Sequence, residues 1–202
     1  MLEFDHLVIA AERLDEGVAW AEARLGVALE AGGQHARYGT HNALLGLAGG
    51  LYLEVIAIDP EAATPEGARW FGLDSFSGAP RLVTWVCRSP GLAKGPVPAG
   101  FDGIVALTRG ALAWDMAEAE GGVLPFDQCH PGLIDWGDTA HPATRLAPSG
   151  LELERLTLTH PDAEGLRAAL AGLQDARVEI IRGPEAGLRA VLRGPEGREV
   201  RL

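Results

Sequence analysis

The fold is decided by two stretches, FDHLVIA at residues 4–10 and LYLEVIAI at residues 51–58. Both are short, apolar and rich in β-branched residues, which is typical of strands. Side chains alternate along a strand, so each stretch has a face that carries one polar residue, His6 or Glu54. The two faces consist of Phe4, His6 and Val8, and of Tyr52, Glu54, Ile56 and Ile58. Because an ionised carboxylate on a half-buried apolar face needs a partner, Glu54 marks a candidate site.

The residues between these stretches predict a βαβββ unit over residues 1–60. Leucine, valine and alanine recur at helical spacing from Leu14 to Leu25, and Gly26 offers a left-handed stop. We predict two further strands at residues 27–31 and 42–47, with a tight turn at residues 48–50 before the last strand.

Two weaker repeats follow, at residues 81–137 and 150–202. The second unit has strands near 81–87, 103–108 and 112–118 and one within 123–136, but no helix, because prolines and glycines interrupt residues 89–100. The third unit has a strand at 151–159, a helix opened by Pro161, and strands at 177–181, 188–193 and 198–202. We predict a paired domain over residues 1–137 and a C-terminal βαβββ-like unit over residues 150–202.

A histidine on the first strand and a glutamate on the fourth strand of a βαβββ unit resemble the vicinal oxygen chelate superfamily, which includes glyoxalases and ring-cleaving dioxygenases. The segments DHLVIA (5–10), GTHNALL (39–45) and YLEVIA (52–57) look like the glyoxalase-like domain proteins of that superfamily. FGLD (71–74) and LIDWG (133–137) are similar to them as well. The resemblance implies an α+β protein in which paired units form a curled mixed sheet around a cavity.

The resemblance also implies a site in that cavity. His6 and Glu54 match metal ligands of the superfamily, so a divalent ion (Zn, Fe, Mn or Ni) is expected there. Glu54 and His41 are the catalytic candidates. The candidates for substrate contact are Asn42, Tyr52, Thr84 and Trp136. Thr84 stands where the second unit should supply a ligand, and the match to Glu54 in that unit is Phe126, Asp127 or nothing. The alternative is a hydrogen-bonded His6–Glu54 pair in a pocket that no longer binds metal.

Other polar residues have structural interpretations beside the functional ones. His41 either takes part in the site or caps a turn, and His35 and Arg37 are interpreted as solvated loop residues. A Cys129–His130 nucleophilic pair requires spatial contact, which adjacency in sequence does not establish. The tryptophans, Tyr52 and Phe126 either pack the core or line a cavity for an apolar ligand.

Composition restricts the class of partner. The net charge is −11 and no lysine-arginine cluster is present, which argues against nucleic acid and anionic membranes. No apolar run reaches the roughly 20 residues of a spanning helix, and no signal peptide is recognisable, so we expect a cytoplasmic protein. The two cysteines are expected to be reduced thiols.

The resemblance therefore predicts a metal-dependent lyase, isomerase or dioxygenase that acts on a small oxygenated substrate. The alternative is a binding protein that sequesters a hydrophobic small molecule without catalysis. The apolar sheet face of the C-terminal unit predicts a homodimer interface, unless that face packs on the first two units within one chain.

Overall fold

Two β-sheets make up the fold, and the computed structural model describes all residues from 1 to 202. The larger sheet contains β1 (Glu3–Ala10), β2 (Glu30–His35), β3 (Thr40–Leu47), β4 (Leu51–Ile58), β5 (Arg81–Arg88), β6 (Phe101–Arg109), β7 (Leu112–Ala119) and β8 (Gly132–Asp135). The smaller sheet contains β9 (Glu152–His160), β10 (Val178–Arg182), β11 (Gly187–Arg193) and β12 (Glu199–Arg201). The helices are α1 (Leu14–Leu25) and α2 (Ala163–Ala169). The predicted α+β class is confirmed. Neither helix is both long and apolar enough to span a bilayer.

The first unit has the predicted element order, β1-α1-β2-β3-β4. β4 lies parallel to β1, with Tyr52 opposite His6 and Glu54 opposite Val8. A parallel neighbour requires a crossover, and α1 provides it before it ends at Gly26, whose φ is 69°. The register of β1 and β4 therefore brings the two polar residues of the deciding stretches to the same side of the sheet.

The second strand, β2, begins at Glu30, whereas we predicted a strand at residues 27–31. It continues through Gly32 and Gly33. A Cβ atom at Gly32 would lie 2.0 Å from Asn42 Oδ1, and the backbone N–H of Gly33 donates to the same oxygen at 2.8 Å. Gly32 is needed here because the Asn42 amide occupies the space of a side chain.

The larger sheet curls until its two edges approach each other. Its strand order is β2-β3-β4-β1-β5-β8-β7-β6, and the edge strands β2 and β6 come into contact. Side chains connect the two edges: Arg109 contacts His35, and Glu118 accepts hydrogen bonds from Arg37 and Tyr38. The sheet is thus close to a closed barrel, and its interior forms a cavity.

The second unit lacks an α-helix, as predicted. A single 3₁₀ turn at Leu92–Lys94 replaces the crossover helix between β5 and β6. Its last strand, β8, has only 4 residues, and the segment before it is left-handed at Phe126, Asp127 and Gln128, with φ of 55°, 50° and 72°. The insertion therefore shortens the strand that corresponds to β4.

The C-terminal unit has the predicted β-α-β-β-β order but a different pairing from the first unit. β9 lies between β10, which is parallel, and β11, which is antiparallel, and β12 pairs only with β11. In the first unit the first and last strands pair directly. The shared element order therefore does not make the third unit a structural copy of the first.

The apolar face of the C-terminal unit is buried within the chain. Leu151, Leu153, Leu166 and Leu170 are buried, and one continuous core includes residues from both sheets. β11 packs against β5, and the backbone N–H of Ala48 donates to the Leu151 carbonyl at 2.8 Å. The face that we predicted as a homodimer interface is instead covered internally, which was the alternative prediction.

We expect Leu151→Ala to lower the free energy of unfolding by about 2–5 kcal/mol, because it leaves a cavity where the two sheets meet. Urea denaturation followed by circular dichroism measures this change. Val97→Ala is the control, since Val97 is 45% exposed and its truncation should change stability by less than about 0.5 kcal/mol. Separate transitions for the two sheets would contradict the shared core.

Candidate functional site

A β-bulge in β1 turns two titratable side chains toward the interior. The register with β5 shifts between Phe4 and His6, which leaves Asp5 without a partner of its own on that strand. Asp5 and His6 are hydrogen-bonded to each other, whereas Phe4 packs on Trp85 with ring centroids 5.1 Å apart. Our prediction that Phe4 shares a face with His6 was wrong, because the extra residue resets the alternation.

His6 lies between two carboxylates. Its Nδ1 is 2.6 Å from Asp5 Oδ1, its Nε2 is 3.5 Å from Glu54 Oε2, and its ring stacks on Tyr52 with centroids 4.3 Å apart. Burial alone would lower the pKa of His6, but the hydrogen bonds and charges of Asp5 and Glu54 outweigh it and raise the pKa to about 9. His6 is therefore an imidazolium at neutral pH and has a proton on both nitrogens.

Asp5 holds the far side of this imidazolium. Burial by itself raises the pKa of Asp5, yet hydrogen bonds from His141 and His6 and their charges hold it well below its usual range. Asp5 Oδ2 accepts from Trp136 Nε1 at 3.1 Å and lies 2.9 Å from His141 Nε2. Asp5 thus remains a carboxylate and fixes both the charge and the orientation of His6.

Glu54 is the carboxylate that faces the interior. Burial raises its pKa, but the hydrogen bond and charge of His6 outweigh this effect, so the pKa lies below its usual value. Asn42 Nδ2 donates to Glu54 Oε1 at 2.5 Å, and the orientation of this amide is fixed by the Gly33 N–H. Glu54 is therefore ionised and held by two donors.

These groups line a small space that we call the inner cavity. It measures about 40 Å³, which is room for a few water molecules or a small polar group. Its polar lining includes His6, Glu54 and Asn42, and its aromatic lining consists of Tyr52, Trp70, Phe71, Trp114 and Trp136. The predicted contacts Asn42, Tyr52 and Trp136 thus share one cavity with His6 and Glu54, and their role in substrate binding stays a prediction.

Arg109, at the end of β6, also lines the inner cavity. Its Nη1 lies 2.8 Å from His35 Nε2 and 3.5 Å from Asn42 Oδ1, and no carboxylate forms a salt bridge with it. Burial lowers the pKa of His35 to about 4, so His35 is neutral and accepts from the guanidinium. His35 was predicted to be a solvated loop residue, but it is buried in β2. A partly buried guanidinium without a carboxylate attracts an anion.

Two predicted site residues lie outside the inner cavity. Thr84 is buried, and its hydroxyl donates to the Gln128 carbonyl at 3.0 Å, so it neither replaces a metal ligand nor contacts this cavity. His41 lies on the opposite face of β3 from Asn42, beside α1, because side chains alternate along the strand. The predicted catalytic place of His41 beside Glu54 was therefore wrong.

The second unit supplies no counterpart to Glu54. The side chain of Asp127 is 80% exposed and lies 3.3 Å from His160 Nε2. The Cys129 thiol points at the Thr159 carbonyl, and burial raises its pKa, while His130 Nδ1 bonds the Pro131 carbonyl. Phe126 packs edge-on against His160. Cys129 and His130 therefore do not form a nucleophilic pair. Of the two residues considered as matches to Glu54, Phe126 and Asp127, neither reaches the inner cavity.

The sequence profile of the glyoxalase-like domain family matches residues 4–174. The chain belongs to this family. The matched residues include the larger sheet, apart from Glu3, and the inner cavity. No curated protein matches the sequence.

Solved structures show how far the fold of this glyoxalase-like protein is shared. A hypothetical protein from Staphylococcus aureus is 14% identical, and the match covers 100% of this chain and 98% of that chain with a TM-score of 0.68. Methylmalonyl-CoA epimerase from Mycobacterium tuberculosis is 21% identical over 67% of this chain and 88% of that chain, with a TM-score of 0.43. A Streptomyces coelicolor methylmalonyl-CoA epimerase in complex with 2-nitronate-propionyl-CoA is 15% identical over 66% and 96%, with a TM-score of 0.44. The first similarity shows a common fold over the full length.

The donor set of this glyoxalase-like protein does not fit the divalent ion that the resemblance implied. His6 Nε2 carries a proton at neutral pH, Thr84 is engaged elsewhere, and a guanidinium lines the same cavity. No group of three His, Cys, Asp or Glu side chains is arranged to hold a metal ion. Because two protein ligands rarely hold an ion, and both are already paired with each other, we assign no metal to His6 and Glu54.

Sequence reasoning missed Asp5, His35, Arg109 and His141. For Asp5 a signal was present, since an acidic residue next to a histidine within an apolar strand needs a partner. The sequence contains no such signal for Arg109 and His35, because these two residues come into contact only when the edges of the sheet approach each other. His141 lies between β8 and β9, in residues 136–151, which we call the second connector, and it is 136 residues from the carboxylate that it contacts. Its position depends on the path of that connector over the cavity.

We expect Asp5→Asn to lower the pKa of His6 well below about 9, because the closest negative charge is removed. A titration of the histidine ring signals by NMR measures this shift. Asp15→Asn is the matched control, since Asp15 is an exposed carboxylate on α1. An unchanged pKa of His6 in Asp5→Asn would show that Glu54 alone keeps the ring charged.

The raised pKa of His6 also predicts a pH dependence of stability. The folded pKa of about 9 exceeds the reference value of 6.5, so this contribution is fully present below about pH 6.5 and is lost as the pH rises through about 9. We expect the free energy of unfolding to fall over that interval, and to fall less in Asp5→Asn. Urea denaturation at several pH values checks this, and a flat profile for the unchanged protein would contradict it.

Proposed function

We propose that this protein is an isomerase-type enzyme that transfers a proton at the carbon beside the carbonyl of a small 2-oxo acid. One observation carries the proposal: an ionised glutamate, an imidazolium and a guanidinium without a carboxylate partner line one small cavity. Isomerisation is one of the three predicted reaction classes, and these side chains can supply its base and its electrophilic donors by themselves.

Arg109 supports the binding of the substrate carboxylate. A guanidinium presents parallel N–H donors that match the two oxygens of a carboxylate. The partners of Arg109, His35 and Asn42, are neutral, so no carboxylate is hydrogen-bonded to its guanidinium. An anion that enters the inner cavity would occupy that position.

His6 supports the binding of the adjacent carbonyl oxygen. At 3.5 Å, the hydrogen bond from His6 Nε2 to Glu54 Oε2 is long, so a substrate oxygen can compete with Glu54 for this N–H. Asp5 keeps the ring charged from the other side. A positive donor at the carbonyl oxygen stabilises the negative charge that develops there when the neighbouring C–H loses its proton.

Glu54 is the proposed base. Its depressed pKa keeps it ionised across the neutral range, and Asn42 orients it. Its carboxylate takes the proton from carbon, the electron pair of the C–H bond forms the enolate, and the proton returns to carbon or to oxygen.

Proton exchange tests this proposal. Pyruvate and phenylpyruvate are incubated with the protein in D₂O, and the loss of the C3 proton signal is followed by NMR. We expect exchange above the buffer rate, and a decrease of about 100-fold or more in Glu54→Gln. Glu61→Gln, a change at an exposed glutamate between β4 and β5, should have no effect. Exchange at the buffer rate for both acids would contradict the proposed reaction.

The aromatic lining favours a second candidate, the predicted sequestration of a hydrophobic molecule without catalysis. Five aromatic side chains surround the inner cavity, and such walls suit a planar apolar ligand. Calorimetric binding of phenylpyruvate without any exchange at its C3 carbon would support this candidate over the isomerase.

A further inference from the structure

A second space lies beside the inner cavity, and we call it the outer chamber. It measures about 210 Å³ and opens between β7 and residues 67–71. Trp70, Phe71 and Met116 line both spaces, so these three side chains form the wall between them. The proposed reaction uses only the inner cavity and leaves the outer chamber without a role.

We infer that the outer chamber binds an aromatic ring of the substrate while the carboxylate end of the same molecule lies in the inner cavity. This inference rests on the proposed function and narrows its substrate class to 2-oxo acids that carry one aryl ring.

The size of the outer chamber suits a single ring. A protein cavity of about 150 Å³ holds a benzene molecule, so about 210 Å³ accommodates one substituted ring. The inner cavity, at about 40 Å³, is too small for a ring and has room only for a small polar group. The two volumes therefore match the two ends of an aryl 2-oxo acid.

The walls of the outer chamber favour a planar aromatic group. The rings of Tyr38 and Trp70 stack with centroids 4.1 Å apart, and those of Trp70 and Phe71 with centroids 5.3 Å apart. The interplanar angles are 21° and 12°, so the three rings form a nearly parallel series. A further ring can continue this series by offset stacking.

Phe71 is held in a strained conformation in the shared wall. Its φ is 57°, in the left-handed region that is costly for a residue with a Cβ atom, and Gly72 follows at 68°. The ring of Phe71 is buried, and a Cβ atom on Gly132 would come within 3.3 Å of it. Strain that the surrounding packing maintains is typical of functional positions.

The charges at the chamber favour an apolar group over a second anion. Glu118 lies at the rim, where it accepts hydrogen bonds from Arg37 at 3.0 Å and from Tyr38 at 2.7 Å, which satisfies the Arg37 guanidinium. Met116 belongs to the wall between the two spaces, and its unbranched side chain adapts readily to a ligand.

Calorimetry with pyruvate and phenylpyruvate tests the inference, because both share the 2-oxo acid end and only one has a ring. We expect phenylpyruvate to bind about tenfold or more tightly, since its ring leaves water. Ala119→Leu places a larger side chain in the outer chamber and should reduce this affinity ratio about tenfold. Ala113→Leu is the matched control, an identical change at an exposed position of β7, and should leave the ratio unchanged.

Two further variants separate the possible failures. Tyr38→Leu removes one aromatic ring from the lining of the outer chamber and should also reduce the affinity ratio of the two acids. This variant keeps the test available if Ala119→Leu does not fold. Arg109→Gln should weaken both acids together. Equal affinities for both acids, unaffected by Ala119→Leu and Tyr38→Leu, would overturn the aryl inference and leave the proposed function in place. If neither acid binds, the proposed function fails and the inference fails with it.

Discussion

The buried contact between Asp5 and His6, 2.6 Å long, is the interaction on which the rest of the site depends. Asp5 and Glu54 place two negative charges in the interior, and His6 compensates only one of them. Buried charges are tolerated only when partners surround them. Arg88 Nε lies 3.7 Å from Asp5, and His141 and Trp136 complete the set of donors. The second connector follows its path over the cavity in part because it supplies these donors.

The closure of the sheet and the binding of an anion use the same residue. Arg109 connects β6 to His35 on β2, and the same guanidinium lines the inner cavity without a carboxylate partner. Closure of the sheet and the charge of the cavity therefore depend on one side chain.

Strand alternation was sufficient to predict that His6 and Glu54 share a cavity, because β4 is regular and its register with β1 is parallel. Strand alternation failed at the neighbouring residue Asp5, where a β-bulge shifts the register. No local sequence pattern predicts which strand carries the extra residue of a bulge. His35 was missed because glycines next to it favour a loop, and only the Asn42 amide makes them suitable for a strand. Arg109 depends on contacts between the sheet edges, which sequence periodicity does not contain.

The structure of the second unit explains why it adds no metal ligand to His6 and Glu54 of the first unit. Thr84 lies where the resemblance implied a ligand, but its hydroxyl bonds the Gln128 carbonyl, and the neighbouring Trp85 Nε1 donates to the Cys129 carbonyl at 3.0 Å. The Gln128 carbonyl belongs to the left-handed segment that precedes the short last strand of that unit, and Cys129 follows this segment directly. Thr84, at the position expected for a ligand, thus holds a strained turn in place. The positive charge that an ion would bring to the cavity is carried instead by His6 and Arg109, whose N–H donors have fixed directions. Such donors select for the shape of an anion as well as for its charge.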